Sequence, residues 1–194
     1  MPEPFRLAIL VSGRGSNMSA ILDAIEAGRI KAETAVVISD QPKAPALEIA
    51  AGKNIPALVI ERKAFGDKSS FERTLASALK AKKVDLVVLA GFMRLLSPVF
   101  INEFDGRIIN VHPSLLPAFP GLDAQKQALE YGVKIAGCTV HYVNEVMDGG
   151  RIIAQAAVNV EPDDSAGSLS ARILKEEHRL LPEVIGQLAR ERLI

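Results

Sequence analysis

Leu7-Ala8-Ile9-Leu10-Val11-Ser12-Gly13-Arg14-Gly15-Ser16-Asn17 opens the chain's first structural unit. Its aliphatic run reads as a strand, and the run breaks on a serine–glycine turn. Helical spacing follows at once: Met18–Ala27 puts Met18, Ile21, Leu22 and Ile25 on one face and stops at Gly28. A strand without polar positions is covered on both faces, which is the habit of a parallel sheet crossed by helices. The same alternation continues outward. Ala35–Ser39, Ala57–Ile60, Leu86–Ala90 and Ile108–Val111 read as strands. Ala46–Ala51, ended near Gly52, and Ser69–Lys82, with Phe71, Leu75 and Leu79 in register, read as helices between them. Each crossover is expected to be right-handed.

After Val111 the pattern changes. Pro113, Pro117, Pro120 and Gly121 mark a loop, and a helix over Ala124–Tyr131 is closed by Gly132. Ala136–Val143 and Ile152–Val160 read as strands, joined by a connector that carries Asp148, Gly149 and Gly150 and is short enough for an antiparallel pair. A long final helix over Ser168–Arg190 should break or kink at Pro182. The expected fold is α/β: a Rossmann-like, mostly parallel twisted sheet with helices on both faces, antiparallel strands late in the chain and a long C-terminal helix. No repeat or linker is visible, so residues 1–194 are expected to form one domain.

Composition narrows the function. The 194 residues hold 23 Lys+Arg against 23 Asp+Glu, and 48% are hydrophobic, as in an ordinary globular domain. That balance argues against a nucleic-acid partner, which asks for a basic excess. With seven Phe, two Tyr and no Trp there is no base-stacking platform either. Cys138, the single cysteine, excludes an internal disulfide and a cysteine-based zinc site. The run Leu7–Val11 is short of the ~7–15 residues of a signal-peptide core. Leu86–Met93 is short of the ~20 that a membrane span needs. A cytoplasmic protein without a membrane partner is expected.

The first turn suits a small anion. Gly13 and Gly15 allow close backbone approach, and helix N–H groups favour negative charge. Ser16 or Asn17 can cap the helix or turn toward a phosphate; a plain capped turn is the bland alternative. Met18 stands where a dinucleotide fingerprint needs its third glycine, and the Gly-Lys-Ser/Thr of a phosphate loop is absent. A monophosphate fits better than a dinucleotide or a triphosphate.

Asn110 and His112 lie two apart in a strand, so they share a face. They sit at the strand's carboxyl end, where open α/β sheets bind ligands. An amide N–H can stabilise an oxyanion, and an imidazole can move the proton that an attacking amine loses. The plainer reading is a strand-end His bonded to backbone. No nucleophile elbow is present, so direct acyl transfer is the simpler scheme. Asp148 is either a turn carboxylate or a neighbour that favours the charged form of His112.

Taken together, Val11–Asn17, Leu89–Pro98 with its Ala-Gly-Phe-Met-Arg-Leu-Leu core, Asn110-Val-His-Pro-Ser-Leu-Leu-Pro117, Thr139–Val143, Met147–Gly150 and Glu177-His178 resemble the phosphoribosylglycinamide formyltransferases. The resemblance covers nearly the whole chain, in order and spacing. It implies formyl transfer from 10-formyltetrahydrofolate, the co-substrate, to the amine of glycinamide ribonucleotide, in de novo purine synthesis. It implies Asn110 as oxyanion donor and folate contact, His112 as general acid and Asp148 as the carboxylate that tunes it. It also implies Gly15, Ser16 and Asn17 at the nucleotide phosphate and Glu177 as a further nucleotide contact. Met93, Arg94, Leu95 and Leu96 match the folate wall, partly through backbone, and Lys68 matches a basic residue linked to folate. His141 matches a second histidine near the site. The nucleotide site then falls in the N-terminal half and the folate site toward the C-terminal half. No metal is required, and a monomer or a homodimer is expected. Asp123 departs from members that carry His there, and the tail ends at Ile194.

Other readings predict different things. Methionyl-tRNA formyltransferase shares the Asn110–Pro117 segment but needs another domain, a basic face and an Arg-Gly turn where this chain has Phe119-Pro120-Gly121. A formyltetrahydrofolate deformylase is expected to carry an N-terminal regulatory domain, and here the first strand starts near Arg6. A non-catalytic nucleotide-binding module predicts binding without turnover, and a dehydrogenase predicts NADH binding.

Overall fold

The structure, a computed structural model, describes residues 4–192. Its strands are β1 (Phe5–Val11), β2 (Ala32–Ser39), β3 (Ala57–Val59), β4 (Leu86–Leu89), β5 (Ile108–His112), β6 (Ile135–Tyr142) and β7 (Ile152–Asn159). Its helices are α1 (Ser16–Glu26), α2 (Pro45–Gly52), α3 (Lys68–Ala81), α4 (Pro98–Glu103), α5 (Ala124–Tyr131) and α6 (Ala166–Arg192). They build the Rossmann-like α/β architecture expected. One seven-stranded sheet runs in the order β3-β2-β1-β4-β5-β6-β7. The first five strands in that order are parallel, and the last two pairs are antiparallel.

The alternation along β1 explains the two-sided cover. Leu7, Ile9 and Val11 join Met18 and Ile21 of α1 and Leu181 and Ile185 of α6 in one apolar cluster. Ala8 and Leu10 face the other way, onto Phe71, Leu75 and Leu79 of α3 and Phe100 of α4. Every residue of β4 is buried. A strand whose two faces both lie in a core has no room for a polar side chain, so polar groups collect where strands end.

Several local details depart from expectation. Neither Ser16 nor Asn17 caps α1: Gly15 takes the cap position in the left-handed region, and no side chain bonds the first turn. Asn17 is drawn off toward α6 instead. β2 starts at Ala32, because parallel pairing with Phe5 of β1 carries it three positions past its apolar run. α6 is not broken at Pro182. Leu180 and Leu181 before the proline, and Val184 and Ile185 after it, are buried on the same core, which outweighs one lost backbone hydrogen bond. α4 is too short to show a helical period. Its signal is Ser97, whose Oγ accepts from the Phe100 N–H, followed by Pro98 at the first helical position.

The loop after β5 has few backbone partners of its own. Thr139 Oγ1 donates to Ser114 O at 2.7 Å and accepts from Leu116 N at 3.0 Å. Gln155 Nε2 donates to Leu116 O at 2.9 Å, so β6 and β7 hold the loop against the sheet.

The first turn gives a direct test of its backbone. A Cβ on Gly15, at φ +78°, would lie 2.6 Å from Ala46 Cβ and 3.0 Å from Ala46 Cα, whereas one on Gly13 meets nothing within 4 Å. Gly15→Ala should therefore destabilise the fold by about 1–3 kcal/mol in urea unfolding. Gly13→Ala should stay within about 0.5 kcal/mol of the unsubstituted chain.

Candidate active site

β1, β4 and β5 are neighbours in the sheet and end level with one another. Leu10 pairs with Leu89, and Leu89 with Asn110. Their carboxyl ends thus place three loops side by side: Ser12–Asn17, the segment after Leu89, and the segment after His112.

β5 contributes Asn110 and His112, and its antiparallel neighbour sets His141 directly opposite Asn110. Asn110 Nδ2 lies 3.2 Å from His141 Nε2, and His141 Nδ1 lies 2.9 Å from the Tyr142 carbonyl. A carbonyl only accepts, so the His141 proton sits on Nδ1 and Nε2 accepts from the Asn110 amide. Burial holds His141 below the usual imidazole range, against the opposing pull of the Tyr142 carbonyl and Asp148. A neutral His141 thereby fixes which way the Asn110 amide faces, and the second N–H of that amide stays free of this contact.

His112 is 6% exposed. Its Nδ1 lies 3.4 Å from Asp148 Oδ2, and its Nε2 lies 2.9 Å from the Phe119 carbonyl. Both ring nitrogens face oxygens. Asp148 is aimed by the β6–β7 connection. It sits at φ +53°, and its Oδ2 accepts from Gly121 N at 2.8 Å. Gly150 makes that path possible: a Cβ there would stand 1.7 Å from the Tyr142 carbonyl oxygen. Asp148 Oδ1 is also 3.8 Å from His141 Nε2, so Asn110, His112, His141 and Asp148 form one contiguous group.

The first turn lies beside α6. Gly15 is buried and Ser16 and Asn17 are half-buried. Asn17 Nδ2 donates to Glu177 Oε2 at 2.7 Å. Asn17 Oδ1 is buried with no hydrogen-bond partner among the described residues. Glu177 is 7% exposed, and burial raises its carboxyl above the usual glutamate range, with the Asn17 bond pulling the other way.

The folate-wall candidates differ among themselves. Met93 and Leu95 are 69% and 66% exposed, and Leu96 packs on the α3 side of the core. Arg94 Nε donates to Asp40 Oδ2 at 2.6 Å, which ties its guanidinium to the end of β2. Lys68 Nζ lies 3.8 Å from Glu72 Oε1, the oxygen that also accepts from Ser97 N just past Leu96. Cys138 packs in the core, its thiol pushed up to about 12 by burial. Ser12 and Asp40 were not among the sequence candidates, although both directly follow parallel strands, the signal that singled out His112. Among the described residues no cluster of His, Cys, Asp or Glu is arranged to hold a metal ion. None of the described helices is long and apolar enough to cross a membrane.

Known proteins resemble this chain in sequence and fold. A family model for formyl transferases matches residues 5–185. The phosphoribosylglycinamide formyltransferase of Bacillus subtilis is 43% identical, over 94% of this chain and 94% of its own. The trifunctional purine biosynthetic protein adenosine-3 of Drosophila melanogaster is 49% identical over 94% of this chain, which spans 14% of the fly protein. The crystal structure of glycinamide ribonucleotide transformylase 1 from Symbiobacterium toebii superposes with a TM-score of 0.95 at 50% identity, covering 97% of this chain and 89% of that one.

Glu177 yields a pH-dependent expectation. Its folded pKa is raised, so its contribution to stability is full below the ordinary glutamate pKa and is lost as pH rises through the folded value. Glu177→Gln keeps an acceptor for Asn17 without the charge. Thermal melting from pH 4 to 8 should show the variant gaining on the unsubstituted chain as pH rises.

Proposed function

Because the chain belongs to the formyl transferase family, we propose that it transfers a formyl group from 10-formyltetrahydrofolate to the amine of glycinamide ribonucleotide. The products are formylglycinamide ribonucleotide and tetrahydrofolate, and the reaction serves purine synthesis. The observation that carries this reading is the contact of His112 with Asp148, at 3.4 Å, beside Asn110 on the same strand. A single domain over residues 1–194 does the work.

The amine nitrogen attacks the formyl carbon, and the carbonyl electron pair moves onto oxygen. The free N–H of Asn110, aimed by His141, meets that oxyanion, and His112 acts as the general acid. Asp148, beside His112, orients it as the carrier of the ammonium proton. The bond from carbon to folate N10 then breaks, and N10 takes the proton that the amine lost. Atoms and charge balance without a covalent enzyme intermediate.

In the same reading the turn Gly15-Ser16-Asn17 binds the nucleotide phosphate through its N–H groups, and Glu177 holds the nucleotide. Met93, Leu95 and Leu96, with the backbone of Arg94, take the flat apolar body of the folate. Lys68 offers a charge to its acidic end.

A steady-state assay that follows tetrahydrofolate release tests this, with glycinamide ribonucleotide or water as acceptor. Nucleotide-dependent release is expected. Release without nucleotide would mean a deformylase, and none at all with both ligands bound would mean a binding module. His112→Ala should lower kcat by ~10²–10⁴-fold. Asn110→Ala should cost ~10²–10³-fold. Asp148→Asn should also slow turnover; a wild-type rate in any of the three would remove that residue from the scheme.

A further inference from the structure

Asp40 follows β2 and is 2% exposed, yet the reaction scheme gives it no task. A buried carboxylate is tolerated when its oxygens are answered by donors. Here they are. Ser12 Oγ donates to Oδ1 at 2.6 Å, Arg94 Nε donates to Oδ2 at 2.6 Å, and Gln41 Nε2 donates to Oδ2 at 3.1 Å.

The Ser12 hydroxyl also accepts, from the Met93 backbone N–H at 2.9 Å. Ser12 N donates to the Gly91 carbonyl at 3.0 Å. A closed circuit results: Met93 N–H to Ser12 Oγ, Ser12 Oγ to Asp40, Asp40 to Arg94, and Arg94 back to Met93 along the chain. It spans three adjacent strand ends, those of β2, β1 and β4.

The circuit matters because of what it holds. Residues 91–97 carry no helix or strand, and Met93 and Leu95 are exposed. Side chains from other elements set their course. Ser12 and Asp40 hold the start, and Glu72 holds the end by accepting from Ser97 N at 2.8 Å and from Ser97 Oγ. Ser12 meanwhile opens the turn that leads to Gly15, Ser16 and Asn17.

We propose that Ser12 and Asp40 are positioning residues that couple the two subsites, so that nucleotide seated on the first turn tightens folate binding on the Met93–Leu96 wall, and the reverse. The proposal rests on the function assigned above. A ligand that orders the turn orders Ser12, and through Ser12 and Asp40 it orders the Met93 and Arg94 backbone. The second ligand then meets a wall already in place, and less ordering entropy is lost on binding. Linkage requires the effect to be equal in both directions.

Tetrahydrofolate and glycinamide ribonucleotide test this together without turnover, because tetrahydrofolate carries no formyl group. Calorimetry on the full chain gives the Kd of tetrahydrofolate with and without saturating nucleotide. The unsubstituted chain should show tightening by about fivefold or more. Ser12→Ala and Asp40→Asn should bring the ratio to within about twofold of one. Ser12→Ala removes a single hydroxyl and leaves the Asp40–Arg94 pair, so it remains informative if Asp40→Asn fails to fold. No tightening in the unsubstituted chain overturns the coupling. So does an unchanged ratio in the variants with both affinities merely weakened, which is the signature of a structural role. Either result alongside nucleotide-dependent formyl transfer leaves the function standing. Absence of both binding and transfer ends the function and the coupling with it.

Discussion

Strands buried on both faces leave polar side chains one place to go, the edge where the strands end. β4 is buried throughout, and β1 is buried at every position but Arg6. Each polar group at the carboxyl edge must then be satisfied by another on the same edge, because unpaired buried groups cost free energy. Asp40 meets Ser12, Asn110 meets His141, His112 meets Asp148, and Thr139 meets the backbone of Ser114 and Leu116. The partners come from different strands or loops every time. What looks like a set of separate motifs lies along one edge of the sheet.

That edge also carries local strain. Phe119 and Asp148 are non-glycine residues held at positive φ. Burial moves His141 and Glu177 away from their usual ranges in opposite chemical senses, and it disfavours charge in both. Asn17 Oδ1 is left without a partner among the described residues. Strain and incomplete satisfaction of this kind concentrate at functional sites, where the surrounding packing outweighs them. The two apolar clusters beneath supply that packing.

Much of the architecture was legible in the sequence. Uniformly apolar strands and amphipathic α1 and α3 announced a doubly covered parallel sheet, and Gly132 ended α5 where expected. The misses have physical causes. α4 holds six residues, too few to display a period. α6 passes Pro182 because apolar burial on either side of the proline exceeds one missing hydrogen bond. The capping reading of Ser16 and Asn17 failed because the left-handed backbone at Gly15 puts the cap position one residue earlier, so both lie inside the first turn of α1.

For the site, the sequence by itself determined the inventory: an amide and an imidazole on one face of β5, a glycine turn after β1, and a carboxylate in the Met147–Gly150 loop. Strand alternation and turn chemistry are local, so they can be read in one dimension. Only the tertiary structure decided who meets whom. The antiparallel register set His141 against Asn110, the close backbone approach at Gly150 aimed Asp148 at His112, and the β2-β1-β4 order brought Asp40 to Ser12 and Arg94. Those pairings join residues up to 160 positions apart, as Asn17 and Glu177 are, and hydrogen bonds act over about 3 Å. Chain separation therefore carries no information about them until the sheet closes the distance.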